Sequence, residues 1–208
     1  MSPDVVVIAG LGEVGKPLAK ILTKTYQCCE VDVEPVSISV PCSVLHICYP
    51  FQINDFVNIT VGYIAKYDPA LTIINSTVAP GTTEMIWKAS KGRPIAYSPV
   101  RGKHAFMERD MLRYKKFVAG CDVHSTEQAA KHFAGAGFQI GTFPTPRIGE
   151  VSKLLETTYL GEYVQYEIAT RDGHLLRISE MNPRQILEPG TDEIHVMAAT
   201  DDAVILRR

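Results

Sequence analysis

Three closely spaced glycines follow a run of β-forming residues near the start of the chain. In the stretch "VVVIAGLGEVGKPLAK", Gly10, Gly12 and Gly15 fit the pattern G-x-G-x-x-G between a strand and a helix. In such a turn the first glycine permits a tight bend, the second lets backbone approach a pyrophosphate, and the third lets the helix pack on the strand. We therefore expect this turn to bind a dinucleotide; the alternative is a tight turn with no ligand.

The helix that follows the turn begins near Val14. Its unpaired N–H groups and partial positive charge suit phosphate groups, so Glu13 and Val14 join the glycines as candidate cofactor-binding residues. Pro17 falls in the first helical turn, where N–H groups have no intrahelical acceptor, so it is compatible with this helix.

An acidic residue at the end of the second strand would select the cofactor. Asp32, in "CCEVDVEP", lies about 20 residues beyond the glycines, where a carboxylate holds the ribose hydroxyls and repels a 2′-phosphate. Glu30 and Glu34 are alternatives by register, and a solvated strand end is the competing interpretation. Because no arginine or lysine lies between Lys24 and Lys66, NAD is expected rather than NADP.

Composition narrows the classes of partner. The 208 residues include 21 basic and 23 acidic side chains, a balance that favours a small-molecule substrate over nucleic acid or an anionic membrane. No apolar run approaches the roughly 18 residues of a membrane helix, and the start of the chain lacks the basic residues of a signal peptide, so a cytoplasmic location is expected. The five cysteines show no metal-ligand spacing, so no metal site is expected. We expect these cysteines to be reduced thiols.

Short β-rich runs alternate with helical patterns, which predicts an α/β fold: a Rossmann-type, doubly wound, mainly parallel sheet followed by a long helix. The predicted strands are Val5–Ile8, Gln27–Val31, Val44–Cys48, Leu71–Ile74, Pro94–Ala96, Phe117–Ala119 and Gln139–Gly141. The predicted helices are Val14–Thr25, Phe51–Tyr67, Thr82–Ser90 and Ser125–Ala136, the last with Ser125 as its N-cap. The link between the second and third strands is too short for the usual intervening helix.

A long helical pattern runs from Gly149 to about Arg171 and marks a change in character. We therefore predict a cofactor domain over residues 1–146, and a long helix with a C-terminal tail over residues 147–208. A stripe of Tyr159, Tyr163 and Tyr166 on that helix predicts a homodimer, although the stripe could equally face its own sheet.

The remaining motifs resemble the NAD-binding half of the UDP-glucose/GDP-mannose dehydrogenase family, within the wider 6-phosphogluconate dehydrogenase-like superfamily. "SVLHICYPF" is similar to the family's strand beside the cofactor, and "INSTVAPGTTEMI" to its S-T-x-x-P-G-T-T turn. "AYSPVRGKHAFMERDMLRYKKFVAG" looks like its S-P-E-x-x-x-x-G segment and R-x-V-x-G strand. "GEVSKLLETTYLGEYVQYEIA" looks like its E-x-x-K-x-x-x-N helix. The resemblance spans roughly residues 4 to 170.

The resemblance implies roles for individual residues. Thr77 matches a threonine that helps to place the catalytic water and the nicotinamide, and Lys153 matches a lysine that stabilises negative charge on oxygen. Tyr49, Pro50 and Ser76, in the matched motifs, join Thr77 as candidate cofactor contacts. For Lys153, an ordinary solvated helix position is the alternative.

Three departures from the family pattern bear on activity. Val100 stands where the family has a glutamate that activates water, and Thr157 replaces an asparagine one turn after the lysine but is kept as a catalytic candidate. The family's nucleophilic cysteine lies in a later G-x-C-x-P-K-D motif, which this sequence does not contain. Covalent chemistry through such a cysteine is therefore not expected of this chain alone.

Two functions from different classes follow. The first is an NAD-dependent dehydrogenase acting on a CH–OH group of a small substrate, such as a nucleotide sugar. Gly149, Lys153 and Thr157 also resemble the G-x-x-x-K-x-x-x-N helix of β-hydroxyacid dehydrogenases, which implies a hydroxy acid as the alternative substrate. The second is a non-catalytic NAD-binding module or partner subunit. A catalytic domain on a separate polypeptide is a third alternative.

Overall fold

The computed structural model describes residues 5–32, 36–101, 106–159, 163–169 and 175–181, with side chains as far as residue 154. Contacts divide the chain into two units, Met1–Tyr159 and Leu160–Arg208. This division falls after the helix at residues 146–159, whereas the sequence pattern suggests one before it. No helix in the described part of the chain is long and apolar enough to cross a membrane.

The first unit alternates strands with helices. Its strands are β1 (Val5–Ala9), β2 (Cys28–Val31), β3 (Cys42–Ile47), β4 (Leu71–Ile74), β5 (Ile95–Tyr97), β6 (Lys116–Gly120) and β7 (Ile140–Thr142). Its helices are α1 (Gly15–Leu22), α2 (Phe56–Tyr67), α3 (Thr82–Ala89), α4 (Met107–Arg113), α5 (Val123–Gly135) and α6 (Pro146–Tyr159).

The seven strands form one sheet in the order β2-β1-β3-β4-β5-β6-β7. All neighbours are parallel except β5 and β6, which are antiparallel. The predicted Rossmann-type, mainly parallel sheet is therefore confirmed. The chain passes from β1 outward to β2 and then back across β1 to β3, so the strand order reverses between β1 and β3.

Apolar residues cover both faces of the sheet, which is why the central strands read as continuous hydrophobic runs. Along β1, Val6 and Ile8 belong to one buried cluster, while Val5, Val7 and Ala9 belong to the other. The first cluster includes residues of α1, α4 and α5, and the second includes residues of α2 and α3. The sheet thus has helices packed on both of its faces.

The helices differ from the predictions in their boundaries and in number: α1 ends at Leu22 rather than Thr25, and α2 begins at Phe56 rather than Phe51. The N-cap of α5 is Asp122 rather than Ser125: the Asp122 carboxylate accepts a hydrogen bond of 2.7 Å from the Ser125 backbone N–H. Asp122 is also an N-cap residue type, and sequence spacing alone did not separate the two. The short helix α4 was not predicted.

The prediction of a long helix from Gly149 to about Arg171 is wrong in its second half. Helix α6 ends at Tyr159, and the second unit contains an antiparallel pair, β8 (Tyr163–Ala169) with β9 (Leu175–Met181). Tyr163 and Tyr166 therefore lie on a strand, so the proposed helical tyrosine stripe does not exist. The segment is rich in aromatic and β-branched residues, and Asp172-Gly173 between the runs is a hairpin-type sequence.

Candidate functional site

The glycine turn lies at the carboxyl end of β1, beside the end of β3, where the strand order reverses. This is the place where open α/β sheets bind ligands. Gly10 has a φ of +95°, and a Cβ there would lie 2.6 Å from the Tyr49 backbone nitrogen. A Cβ on Gly15 would overlap the Gly10 carbonyl oxygen, whereas one on Gly12 would meet nothing within 4 Å. Two glycines are thus required by packing, and the third leaves open space over the turn.

Helix α1 begins directly after this turn. The backbone N–H of Lys16 donates to the Gly12 carbonyl over 3.2 Å, and that of Leu18 donates to Val14 over 3.2 Å. Pro17 lies between them in the first turn, as predicted, and removes no hydrogen bond that the helix needs. Glu13 and Val14 precede the first helical residue, so their backbone forms the helix start that faces the switch point.

Asp32 lies at the exposed end of β2, next to the glycine turn. Its Oδ1 accepts a hydrogen bond of 3.2 Å from the Leu11 N–H. A carboxylate is thus held beside the turn while remaining open to solvent. Of the two alternatives by register, Glu30 lies within β2 opposite Ile8, and Glu34 is outside the described residues.

Four of the predicted cofactor contacts lie just beyond the ends of β3 and β4. The Ser76 hydroxyl donates a 2.6 Å hydrogen bond to the Tyr49 carbonyl, so it ties the two strand ends together. The Tyr49 ring is buried, and its hydroxyl pairs with Thr60 at 2.7 Å. Tyr49 and Ser76 can therefore contribute to a site mainly through backbone, whereas Pro50 and Thr77 are exposed at the sheet edge.

Lys153 is half-buried on α6 and lines a shallow hollow at the end of β5. The hollow also has Pro99, Gly149 and two stacked rings, Phe117 and Phe143, whose centroids are 4.7 Å apart. Thr157 lies on α6, but its side chain is outside the described residues. Lys153 thus reaches the same edge of the sheet as the predicted cofactor contacts.

Val100, at the position of the family's glutamate, is buried in the apolar cluster that contains Met107 and Met111. Nothing at this side chain can exchange a proton.

The glutamate of the E-x-x-K pattern, to which the sequence analysis gave no role, attaches α6 to the start of α3. Glu150 is 0% exposed and accepts hydrogen bonds from the Gly81 and Thr83 N–H groups at 2.5 and 2.9 Å. The Thr83 hydroxyl donates to it at 2.6 Å. The negative charge thus lies at the N-terminus of α3, which favours it electrostatically. Lys153 lies one helical turn beyond this anchor.

A buried polar chain also runs beneath the edge. The Lys116 ammonium donates to the Asn75 Oδ1 over 3.4 Å, which leaves the Asn75 amide N–H group to donate to His46 Nδ1 at 3.1 Å. His46 Nδ1 is then the acceptor, so in the neutral ring the proton lies on Nε2. His46 Nε2 therefore donates to His132 Nε2, 3.0 Å away. The donor and acceptor assignments are therefore consistent along this series of hydrogen bonds, from Lys116 through Asn75 and His46 to His132.

Burial changes the pKa values in this chain. The pKa of Lys116 is lowered to about 7, mainly by desolvation; the electrostatic effect of Cys48 opposes this shift and the positive charge of Lys153 adds to it. Desolvation also lowers the pKa of His132 to about 4 and that of His46 well below its usual value. Both rings are therefore neutral near neutral pH.

Sequence patterns gave little warning of these residues. A histidine inside the apolar run "VLHIC" was one signal, because a buried imidazole needs partners. Lys116 precedes a predicted strand and Glu150 lies on a predicted helix, positions where charged residues are usually exposed.

The residues at the switch point fit a dinucleotide. Because Gly12 has no Cβ, the space over it is open for a pyrophosphate to approach the backbone. The start of α1 and the Asp32 carboxylate lie on either side of this space. No group of His, Cys, Asp and Glu side chains suited to a metal ion occurs within the described residues.

The fold and this edge define a class, that of Rossmann-type α/β domains. The sequence matches no protein-family model and no curated protein. Solved structures do match. UDP-D-ManNAc dehydrogenase from Pyrococcus horikoshii is 18% identical with a TM-score of 0.65, over 74% of this chain and 50% of that one. GDP-mannose dehydrogenase from Pseudomonas aeruginosa is 12% identical with a TM-score of 0.58, over 74% of this chain and 49% of that one.

A third match is 3-hydroxyisobutyrate dehydrogenase from Mycobacterium tuberculosis, 16% identical with a TM-score of 0.55, over 75% of this chain and 59% of that one. The matched region is thus about half the length of each nucleotide-sugar dehydrogenase. The resemblance to UDP-sugar and GDP-mannose dehydrogenases is confirmed at the level of the fold.

Proposed function

We propose that this chain binds NAD at the glycine turn and is an NAD-dependent oxidoreductase acting on a CH–OH group, related to nucleotide-sugar dehydrogenases. The observation that carries the proposal is the open position over Gly12 at the strand-order reversal, with Asp32 beside it. The matched structures support it, because they are dehydrogenases of nucleotide sugars and of a hydroxy acid.

Each part of the edge has a proposed role in holding the cofactor. Backbone from Gly10 to Gly15 and the start of α1 would receive the pyrophosphate, since the helix N-terminus favours anions. Asp32 would accept hydrogen bonds from the adenosine ribose and would repel a 2′-phosphate. When bound, NAD would supply the hydride acceptor for oxidation of an alcohol.

The chemistry of the chain itself would come from α6 and the end of β4. The Lys153 ammonium would stabilise negative charge that develops on the substrate oxygen, an effect that is strong in a site shielded from water. The exposed Thr77 hydroxyl would orient the nicotinamide or a water. Thr157, one turn beyond Lys153, stays a candidate for the same purpose.

A panel assay tests the proposal. The protein is incubated with NAD and with UDP-sugars, GDP-mannose or hydroxy acids while the absorbance of the reduced cofactor is followed. If the protein is an enzyme, Lys153→Ala should lower turnover by about a hundredfold or more. The control variant Lys131→Ala, at an exposed position of α5, should leave turnover intact. Turnover unaffected by Lys153→Ala would overturn the assigned role of Lys153.

One observation favours a second candidate, an NAD-binding module without turnover. Val100 is apolar and buried where the resemblance implies a glutamate, so that acid or base is missing. Tight NADH binding with no turnover on any member of the panel would support this candidate and exclude the enzyme for those substrates.

A homodimer and a cytoplasmic location stay predictions. Because Tyr163 and Tyr166 lie on a strand rather than on α6, the tyrosine stripe no longer supports the homodimer. Sedimentation equilibrium of the purified chain measures its oligomeric state directly.

A further inference from the structure

A buried lysine ties together the strand ends beneath the candidate site. Lys116 is 4% exposed, and its ammonium donates to the carbonyl oxygens of Ser98 at 2.9 Å and Pro99 at 3.1 Å. Its third contact is the Asn75 Oδ1 at 3.4 Å. All three ammonium N–H groups therefore have acceptors, and these belong to the segments that follow β4 and β5.

The reversal of one strand explains how Lys116 reaches this place. Strand β6 is antiparallel to β5, with Tyr97 opposite Ala119, so the first residue of β6 lies at the edge where β5 ends. A parallel strand would place its first residue at the opposite edge. The Ser98 hydroxyl adds a second tie, a 2.8 Å hydrogen bond to the Phe117 carbonyl.

The segments tied by Lys116 carry the proposed cofactor contacts. Thr77 lies two residues beyond Asn75, and Pro99 lines the same hollow as Lys153. The backbone N–H of Asn75 donates to Ile47 and that of Ser98 donates to Ile74, both at 2.8 Å. These two hydrogen bonds extend the sheet to its edge at Asn75 and Ser98, the residues that the ammonium also contacts.

We propose that Lys116 is a positioning residue for the cofactor site proposed above: its ammonium clamps the ends of β4 and β5 so that Thr77 and Lys153 face one ligand. The inference rests on that proposed function for the ligand, whereas the clamp itself is a property of the cofactor-free chain. Lys116 does not act as a catalytic group, since its three hydrogens are used within the protein.

The titration of Lys116 provides a means to test the clamp. The charged or titratable groups around it are Lys153 from α6, Cys48 after β3 and, through Asn75, His46 of β3. Burial lowers the pKa of Lys116 to about 7 and raises that of Cys48 to about 12, while His46 titrates well below its usual value. A change in the clamp near pH 7 is therefore assigned to Lys116, which keeps only two N–H groups when neutral.

The experiment measures amide hydrogen exchange in the cofactor-free protein, expressed as protection factors so that the intrinsic pH dependence is removed. In the wild type, protection of the Asn75 and Ser98 amides should fall by about tenfold as pH rises through the Lys116 transition. Removing the like charge with Lys153→Ala should move this fall to higher pH. Protection that is independent of pH, or a transition that Lys153→Ala leaves in place, would overturn the clamp.

A variant provides the second test. Lys116→Met should lower protection of both amides at all pH values and weaken NADH binding by about tenfold, whereas Lys24→Met, an exposed lysine just beyond α1, should change neither. Normal NADH affinity in a folded Lys116→Met protein would overturn the positioning role. If the wild type does not bind NADH, the proposed function fails, while the exchange data still decide the clamp.

Discussion

The carboxylate of Glu150 accepts a 2.6 Å hydrogen bond from the Thr83 hydroxyl, joining α6 to the first turn of α3. Two backbone N–H groups of the same turn donate to this carboxylate as well. A fully buried charge is thereby compensated by three hydrogen bonds and by the helix dipole. Because Lys153 is on the same helix, this junction fixes where its amine can reach.

Loss of the charge at this junction should destabilise the first unit. Glu150→Gln keeps the size of the side chain but turns one acceptor into a donor that faces backbone N–H, so we expect a loss of roughly 2 to 3 kcal/mol in unfolding free energy. Urea denaturation measures it. Glu127→Gln, at an exposed position of α5, is the matched control and should be near neutral. Equal stability of the two variants would contradict the anchoring role.

The glycine turn offers a contrast between two similar substitutions. Gly12→Ala should fold normally, because a Cβ there meets nothing within 4 Å, but it should weaken NADH binding by about tenfold or more by occupying the approach. Gly15→Ala should instead lower the melting temperature strongly, since its Cβ would overlap the Gly10 carbonyl. Thermal melting and NADH fluorescence titration on both variants separate these effects. Unchanged NADH affinity in Gly12→Ala would contradict the proposal that NAD binds over Gly12 at the glycine turn.

The choice between NADH and NADPH should depend on the charge of Asp32. Asp32→Asn keeps an oxygen that can accept from Leu11 but removes the negative charge, so the preference for NADH over NADPH should fall, by about tenfold. The ratio of the two dissociation constants is the relevant measurement. Glu30→Gln, within β2, tests the alternative acidic residue; a larger effect there than at Asp32 would transfer the role to Glu30.

Acid should destabilise the fold through the buried histidine pair. The pKa of His132 is lowered to about 4 from 6.5, so between these pH values the unfolded chain binds a proton that the folded chain does not. Stability contributed by the neutral ring is complete above pH 6.5 and is lost as pH falls toward 4, by about 3 kcal/mol in total.

Unfolding free energies measured across this window check the prediction. His132→Gln should flatten the slope of stability against pH, whereas His124→Gln, at an exposed position of α5, should leave it unchanged. His46, fully buried and with its pKa also lowered, contributes in the same direction, so part of the slope should persist in His132→Gln. An identical slope in His132→Gln and the wild type would show that the pair is not the source of acid sensitivity.

The amino-acid sequence by itself determined the sheet, the glycine turn and the place of Asp32. These depend on local patterns: short β-rich runs, glycines at a set spacing and an acidic residue after a strand. The same reasoning failed beyond Tyr159. There the apolar residues have the spacing of a helix, but the residue types are those of a β-hairpin, and only pairing of β8 with β9 decides between the two structures.

The buried polar groups were decided by tertiary structure alone. Lys116 reaches the edge where β4 and β5 end because β6 runs antiparallel to β5. Glu150 becomes a cap because α6 packs on the start of a helix more than sixty residues earlier in the chain. Their partners are not sequence neighbours, so although both residues stand at charged positions of the quoted motifs, the sequence did not show that they are buried. Their free energy depends on a few hydrogen bonds made across the fold, and these exist only once the sheet has formed.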